Sequence, residues 1–228
     1  MRKLILFDID GTLLVGPRNT HKDAFRYAFN KIYKVDAIVN EGVHTGKTDK
    51  KIIFDILENK QIPRKVILFH LQETYKTMRE YFKKNIDLTY KQKTGPDVEK
   101  LLSELKQRGH ILGLVTGNLE EIAKLKLKKT GLIKFFELGA FGELSEVRSD
   151  LVKKAVRQAE EKYGTIKKED VFVIGDSLRD IECGKEAGVK TIAVATGDKT
   201  TEELAEHKPD YLFDNFRNYK EVVSCIER

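Results

Sequence analysis

The sequence predicts an α/β protein: a mainly parallel sheet flanked by helices, with one all-helical unit inserted into it. Three observations predict this. Residues 3–7, Lys-Leu-Ile-Leu-Phe, form an apolar run of strand length at the start of the chain. Residues 17–90 then carry apolar side chains at helical spacing throughout. After Gly95-Pro96, strand-like and helix-like stretches alternate to the end, which is the grammar of right-handed βαβ units and a sheet covered on both faces.

Taken in order, residues 3–7 read as a buried strand because four bulky apolar residues follow one another without polar alternation. Thr20 with Asp23 three residues on resembles a capping box, and Phe25, Ala28, Phe29 and Ile32 follow at helical spacing. Residues 48–60 repeat the pattern with Ile52, Ile53, Ile56 and Leu57. A third helix over residues 63–84 carries Val66, Phe69, Leu71, Tyr75, Met78 and Phe82. Beyond it, residues 97–108 predict a helix closed by Gly109, and 110–116 a strand. Helices follow at 119–130, 149–163 and 178–187, and strands at 135–138, 171–175, 191–195 and 211–213. The simplest organisation is a core of residues 1–14 and 94–228, with residues 15–93 as an inserted helical cap.

The composition, 40% hydrophobic and 34% charged with 4 Pro and 16 Gly, excludes fibrous, low-complexity and wholly disordered classes. Two cysteines, Cys183 and Cys225, make neither a disulfide framework nor the closely spaced pairs of a zinc site. The apolar stretch after Arg2-Lys3 is shorter than the roughly 7 to 15 residues of a secretory signal, and no run approaches the roughly 18 of a membrane span. A cytoplasmic protein without a membrane partner is expected. Net charge is +6, and residues 15–93 hold 17 Lys and Arg against 9 Asp and Glu, while the remainder is close to balanced. That excess is either a solvated helical surface or an electropositive lid that attracts an anionic substrate.

Three predicted strands end in polar groups: Asp8-Ile9-Asp10-Gly11-Thr12, Thr116-Gly117-Asn118, and Gly175-Asp176-Ser177 followed by Asp180. In an open α/β sheet, groups past the carboxyl ends of strands share one crevice. Four carboxylates there repel one another unless a cation intervenes. Mg²⁺ suits hard oxygen donors shared with a substrate phosphate. Hydroxyls and backbone N–H groups at a helix start, as at Thr116, Gly117 and Asn118, suit phosphate.

Phe7-Asp8-Ile9-Asp10-Gly11-Thr12-Leu13-Leu14, Val115-Thr116-Gly117-Asn118 and Gly175-Asp176-Ser177 with Asp180 resemble motifs one, two and four of the haloacid dehalogenase-like hydrolases. The helical insertion resembles the small cap of the phosphoglycolate phosphatase-like subgroup. The resemblance implies a Rossmann-like core and Mg²⁺-dependent hydrolysis of a small anionic phosphorylated metabolite. It implies Asp8 as nucleophile, Asp10 as general acid and base, and Thr116 as a phosphoryl ligand. Asp8, Asp176 and the backbone carbonyl of Asp10 would hold the metal, with Asp180 in support. The third motif departs from the family's Lys: Arg148 stands near its expected place, with Lys153 as the other candidate. In the insertion, Lys47 beside Gly46 at a helix start is either a substrate contact or a surface residue.

Other functions compete with this one. Dehalogenation leaves Asp10 without a task, and the phosphonate-hydrolase branch lacks the second aspartate. A sugar-phosphate mutase retains both. A degenerate binding module conflicts with intact motifs, and no nucleic-acid recognition motif is found, so no nucleic-acid partner is expected. The oligomeric state is open.

Overall fold

The computed structural model describes residues 2–228. In chain order its elements are β1 (Leu4–Phe7), β2 (Leu14–Val15), α1 (Asn19–Ala28, continued as a π-helical stretch to Tyr33), α2 (Glu41–His44), α3 (Asp49–Asn59) and α4 (Arg64–Thr89). Then come β3 (Lys93–Thr94), α5 (Val98–Gln107), β4 (Ile111–Val115), α6 (Glu120–Lys129), β5 (Leu138–Ala140) and α7 (Arg148–Tyr163). The chain closes with β6 (Val171–Gly175), α8 (Leu178–Ala187), β7 (Lys190–Val194), α9 (Thr201–Glu206), β8 (Tyr211–Phe213) and α10 (Tyr219–Glu227).

Six strands form one parallel sheet in the order β5-β4-β1-β6-β7-β8. Alternation along β1 sends Ile5 and Phe7 to one face and Leu4 and Leu6 to the other, so both faces must be covered. On the first face these pack with Leu101 and Leu105 of α5 and Val222 and Ile226 of α10. On the second they pack with Leu151 and Ala155 of α7 and Cys183 and Ala187 of α8. From β1 the chain runs outward through β4 to β5, then returns to β6 and runs the other way. The strand order therefore reverses at β1, and the crevice at its carboxyl end is the place where such sheets bind ligands.

A two-stranded antiparallel ribbon, β2 with β3, brackets the helical insertion, pairing Leu14 with Thr94 and Val15 with Lys93. Helices α1, α3 and α4 build their own core around Phe25, Phe29, Ile53, Phe54, Met78 and Phe82, and Leu119, just before α6, and Ile122 of α6 join it. The first turn of α6 is thus packed into the core of the insertion. No helix among the described residues is long and apolar enough to cross a membrane.

Several local expectations are corrected. The cap position of α1 is Arg18, without a side-chain cap bond; the Thr20 hydroxyl is instead within hydrogen-bond distance of that of Thr89, at 2.8 Å. Helix α4 runs five residues further than the apolar spacing indicated, and Phe69 faces solvent because Ile67 and Leu71 carry the buried turn. Residues 132–135 form a 3₁₀ turn whose Leu132 and Phe135 anchor in the core, which moves the strand to 138–140 in register with Gly113 to Val115. The ribbon, α2, α9 and α10 have no counterpart in the sequence pattern.

Candidate active site

Three strand ends converge at the switch point. Asp8 directly follows β1, and its backbone N–H donates to Ile174 O at 2.9 Å, which extends the sheet pairing and fixes the residue beside β6. The turn after it closes on Ile9 O, which accepts from the N–H groups of Leu13 and Leu14 at 3.0 and 2.9 Å. Thr116 follows β4 and Asp176 follows β6, so the groups at these three strand ends reach one mouth.

Asp8, Asp176 and Asp180 each bring one carboxylate oxygen within 4.8 Å of the others, and all three residues are buried. Thr12 Oγ1 donates to Asp176 Oδ1 at 2.9 Å, while the buried Asp176 Oδ2 has no hydrogen-bond partner. Burial pushes the Asp8 carboxyl up to about 6; Arg148 opposes that rise, and Asp180 and Asp10 add to it. Burial likewise drives Asp176 well above the carboxylate range, with Asp8 and Asp180 reinforcing it. An orphaned buried oxygen, hard donors and crowded negative charge fit a divalent cation such as Mg²⁺.

Arg148, the first residue of α7, answers this charge from the protein side. Its Nη2 lies 3.0 Å from Asp8 Oδ1 and 2.5 Å from Asp180 Oδ1, and its Nη1 donates to Gly46 O at 2.8 Å. Asp180 is held in turn by a capping box, accepting from the Ser177 hydroxyl at 2.6 Å and the Ser177 N–H at 3.1 Å. Lys153 instead sits half-exposed, 3.7 Å from Asp150, away from the carboxylates.

Asp10 is not part of the trio. Its carboxylate accepts from Lys126 Nζ at 2.8 and 2.6 Å, from Gln92 Nε2 at 2.8 Å and from Asn118 Nδ2 at 2.8 Å. Burial alone would raise its pKa, but the charge of Lys126 above all, with that of Arg18, outweighs burial and holds the group far below the carboxylate range. Asn118 also donates to Thr116 Oγ1 at 2.7 Å, tying the second motif to the first. Lys126 was invisible to motif reading. Its one signal is position: it lies four residues after Ile122 on the apolar stripe of α6, where a cation is out of place. Nothing in the sequence marks Gln92.

Above these groups lies a cleft that is partly open to solvent. Arg18, Lys22 and His44 line its far side together with the apolar Phe25, Val39 and Ile52. The insertion is seated closely on the sheet layer: Asp49 N–H donates to Gly117 O at 2.7 Å and Arg179 Nη1 to Thr45 O at 2.9 Å. Asp198 Oδ2 accepts from both Arg18 and Thr45 at 2.9 Å. A Cβ on Gly117 would lie 2.1 Å from Lys47 O, and one on Gly46, at φ +74°, 2.4 Å from Ser177 Oγ, so each position requires glycine. Lys47 lines the cleft, but its ammonium donates to Asp55 Oδ2 at 2.7 Å within the insertion.

Sheet, switch-point carboxylates and overlying helices define a Rossmann-like enzyme with an acidic centre. More particularly, the chain belongs to the haloacid dehalogenase-like hydrolase family, whose model matches residues 5–194. It is 29% identical over 241 residues to a protein of Clostridium perfringens provisionally named pyrophosphatase PpaX, covering 100% of this chain and 99% of the relative. Among solved structures it resembles a predicted phosphatase from Clostridium acetobutylicum, at TM-score 0.72 and 20% identity over 98% of this chain and 99% of that one. It also resembles CbbY from Rhodobacter sphaeroides in complex with phosphate, at TM-score 0.71 and 20% identity over 95% and 96%.

Proposed function

We propose that the protein is a Mg²⁺-dependent phosphatase that transfers the phosphoryl group of a small anionic substrate to Asp8 and then to water. The observation that supports this most directly is the buried trio Asp8, Asp176 and Asp180, with an orphaned oxygen, lying beside Arg148 at the floor of the cleft. Asp8 and Asp176, with the backbone carbonyl of Asp10, would hold the metal, and Asp180 keeps Arg148 in place. The bound cation would screen the charge between the carboxylates and the incoming phosphoryl oxygens.

Asp8 Oδ attacks phosphorus, forming an acyl phosphate and breaking the bond to the leaving oxygen. Arg148 offsets the negative charge shared by Asp8 and the phosphoryl group. The Thr116 hydroxyl and the N–H groups that open α6 donate to the phosphoryl oxygens. Asp10 lies in the cleft in its ionised form, as a base requires for the second half-reaction, in which it takes a proton from water. In the first half-reaction Asp10 must carry a proton: a doubly charged substrate arriving beside it raises its proton affinity, Asp10 takes a proton from water, and it passes that proton to the leaving oxygen.

Residues 15–93 act in this reading as a cap that encloses the leaving group. Arg18 and Lys22 on the cap side favour a leaving group that is itself anionic, so pyrophosphate, the substrate named for the PpaX relative, stands first, with acidic phosphomonoesters next. Lys47 belongs to the cap's field rather than to direct substrate contact, because Asp55 holds its ammonium. The test is phosphate release from a panel of pyrophosphate, phosphoglycolate, sugar phosphates and nucleotides, with Mg²⁺ and with EDTA. Metal-dependent release with preference for doubly anionic substrates is expected. Release that persists in EDTA, or from none of the panel, contradicts the reading.

A further inference from the structure

Lys126 is fully buried in the middle of α6, a position where its stem cannot carry the ammonium out to water. An ammonium has three protons, and three partners surround this one: the Asp10 carboxylate at 2.6 and 2.8 Å, Asn118 Oδ1 at 2.8 Å and His21 Nδ1 at 3.4 Å. Because Lys126 donates to Nδ1, the His21 hydrogen sits on Nε2, which donates to Asp49 Oδ2 at 3.0 Å. The same Asp49 oxygen accepts the N–H of Leu119 at 2.9 Å, and the Asp49 N–H donates to Gly117 O at 2.7 Å. His21 comes from α1 and Asp49 from the start of α3, both in the helical insertion, while Lys126, Leu119 and Gly117 belong to the sheet layer.

We infer that Lys126 is a positioning residue for Asp10, and that the buried chain Asp49–His21–Lys126–Asp10 makes seating of α3 and placement of the Asp10 carboxylate one coupled event. The inference rests on the role assigned to Asp10 above. Its physical basis is burial. With α1 and α3 seated, the Lys126–Asp10 pair lies out of water and attracts with an effective dielectric near 20. With water admitted the same pair is weakened about fourfold, and Asp10 gains freedom to leave the orientation that faces the cleft. Asp49 links the two ends, since one oxygen binds both the start of α6 and the imidazole that touches Lys126. Removing Lys126, His21 or Asp49 breaks the coupling without removing any group assigned to substrate, metal or phosphorus.

The test combines steady-state kinetics with amide exchange on the substrate-free, metal-free protein. Lys126→Met, which keeps the length and loses the charge, is expected to lower kcat by about 100-fold with KM changed less than about threefold, because the misplacement acts after binding. Asp49→Ala is expected to lower kcat as well, and the double variant to lose no more than the worse single one, since members of one unit are not additive. In exchange, Lys126→Met is expected to speed the Asp49 amide about tenfold relative to the amides of β6. If Lys126→Met fails to fold, His21→Phe, which suits the neighbouring Phe25 and Phe82 rings, replaces it in both measurements. An unchanged kcat, multiplicative losses in the double variant, or an Asp49 amide indifferent to residue 126 each overturn the inference. Should the wild type release no phosphate from any substrate, the phosphatase reading fails by itself, and the exchange measurement still decides the coupling.

Discussion

At Asp8, folding and function pull against each other. The fold holds its carboxyl near 6 rather than 3.8, through burial and the neighbouring carboxylates. The native state therefore binds a proton more readily than the unfolded chain between those values, and metal-free stability falls as pH rises through that window, by up to about 3 kcal/mol for a shift of this size. Asp8→Asn removes the conflict. Without metal at pH 7.5 the variant is expected to melt above the wild type, with the gap closing near pH 3.5, and Mg²⁺ should raise the wild-type Tm more than the variant's. A metal-free variant that melts lower would contradict the crowding argument. Asp10 has the opposite environment, held ionised by Lys126. Asp10→Asn is expected to lose roughly 100- to 10,000-fold in kcat in a phosphate-release assay, and a rate equal to wild type would exclude its acid–base role. Asp8, Asp10, Thr116 and Asp176 were legible because each ends a strand where apolar residues are the norm. Arg148 was legible by its place before the helix that leads to β6. Lys126 and Gln92 were not, because their partner, Asp10, lies 116 and 82 residues away in sequence and no local pattern records such a distance.

Among the elements, contact between the loop before α3 and the turn after β4 seats the insertion against the sheet layer. Gly117 admits the Lys47 carbonyl at a distance no side chain allows. Gly117→Ala is expected to lift that loop, lowering kcat/KM by about 100-fold through misplacement on the scale of an ångström, while circular dichroism of the sheet and helices stays at wild type. A variant with full kcat/KM would show that this seating is not needed for turnover. Strands β6 and β8 and helix α8 fell where the sequence placed them, because continuous apolar runs and the Ser177 cap leave one solution. The two-residue strands of the ribbon escaped, since pairing between residues 14–15 and 93–94 is set by closure of a long insertion rather than by local pattern. Helix α1 lacks its expected cap bond for a related reason, because α4 supplies Thr89 as the partner of Thr20.

For the molecule as a whole, charge is divided between an acidic mouth and a basic insertion of 17 cationic against 9 anionic residues. If that field draws anions to the cleft, kcat/KM for a doubly charged substrate should fall as salt rises from about 0.02 to 0.2 M while kcat stays level, because screening acts on encounter and not on the bound complex. Equal kcat/KM at both salt concentrations would leave the basic surface without a role in capture. The larger architecture, a parallel sheet with an interrupting helical unit, was legible because period and length of apolar runs survive any tertiary context. The leaving group was not, since the side chains of α1, α2 and the loop before α3 that line the cleft meet only in the folded chain. The measurement that bears most directly on the account is rapid acid quench of the enzyme with ³²P-labelled substrate and Mg²⁺, followed by peptide mapping of the bound label. The account predicts label on the peptide containing Asp8, absent in Asp8→Asn and released as phosphate on a chase with unlabelled substrate. Turnover with no label on protein at any quench time, or label on another residue, would contradict it.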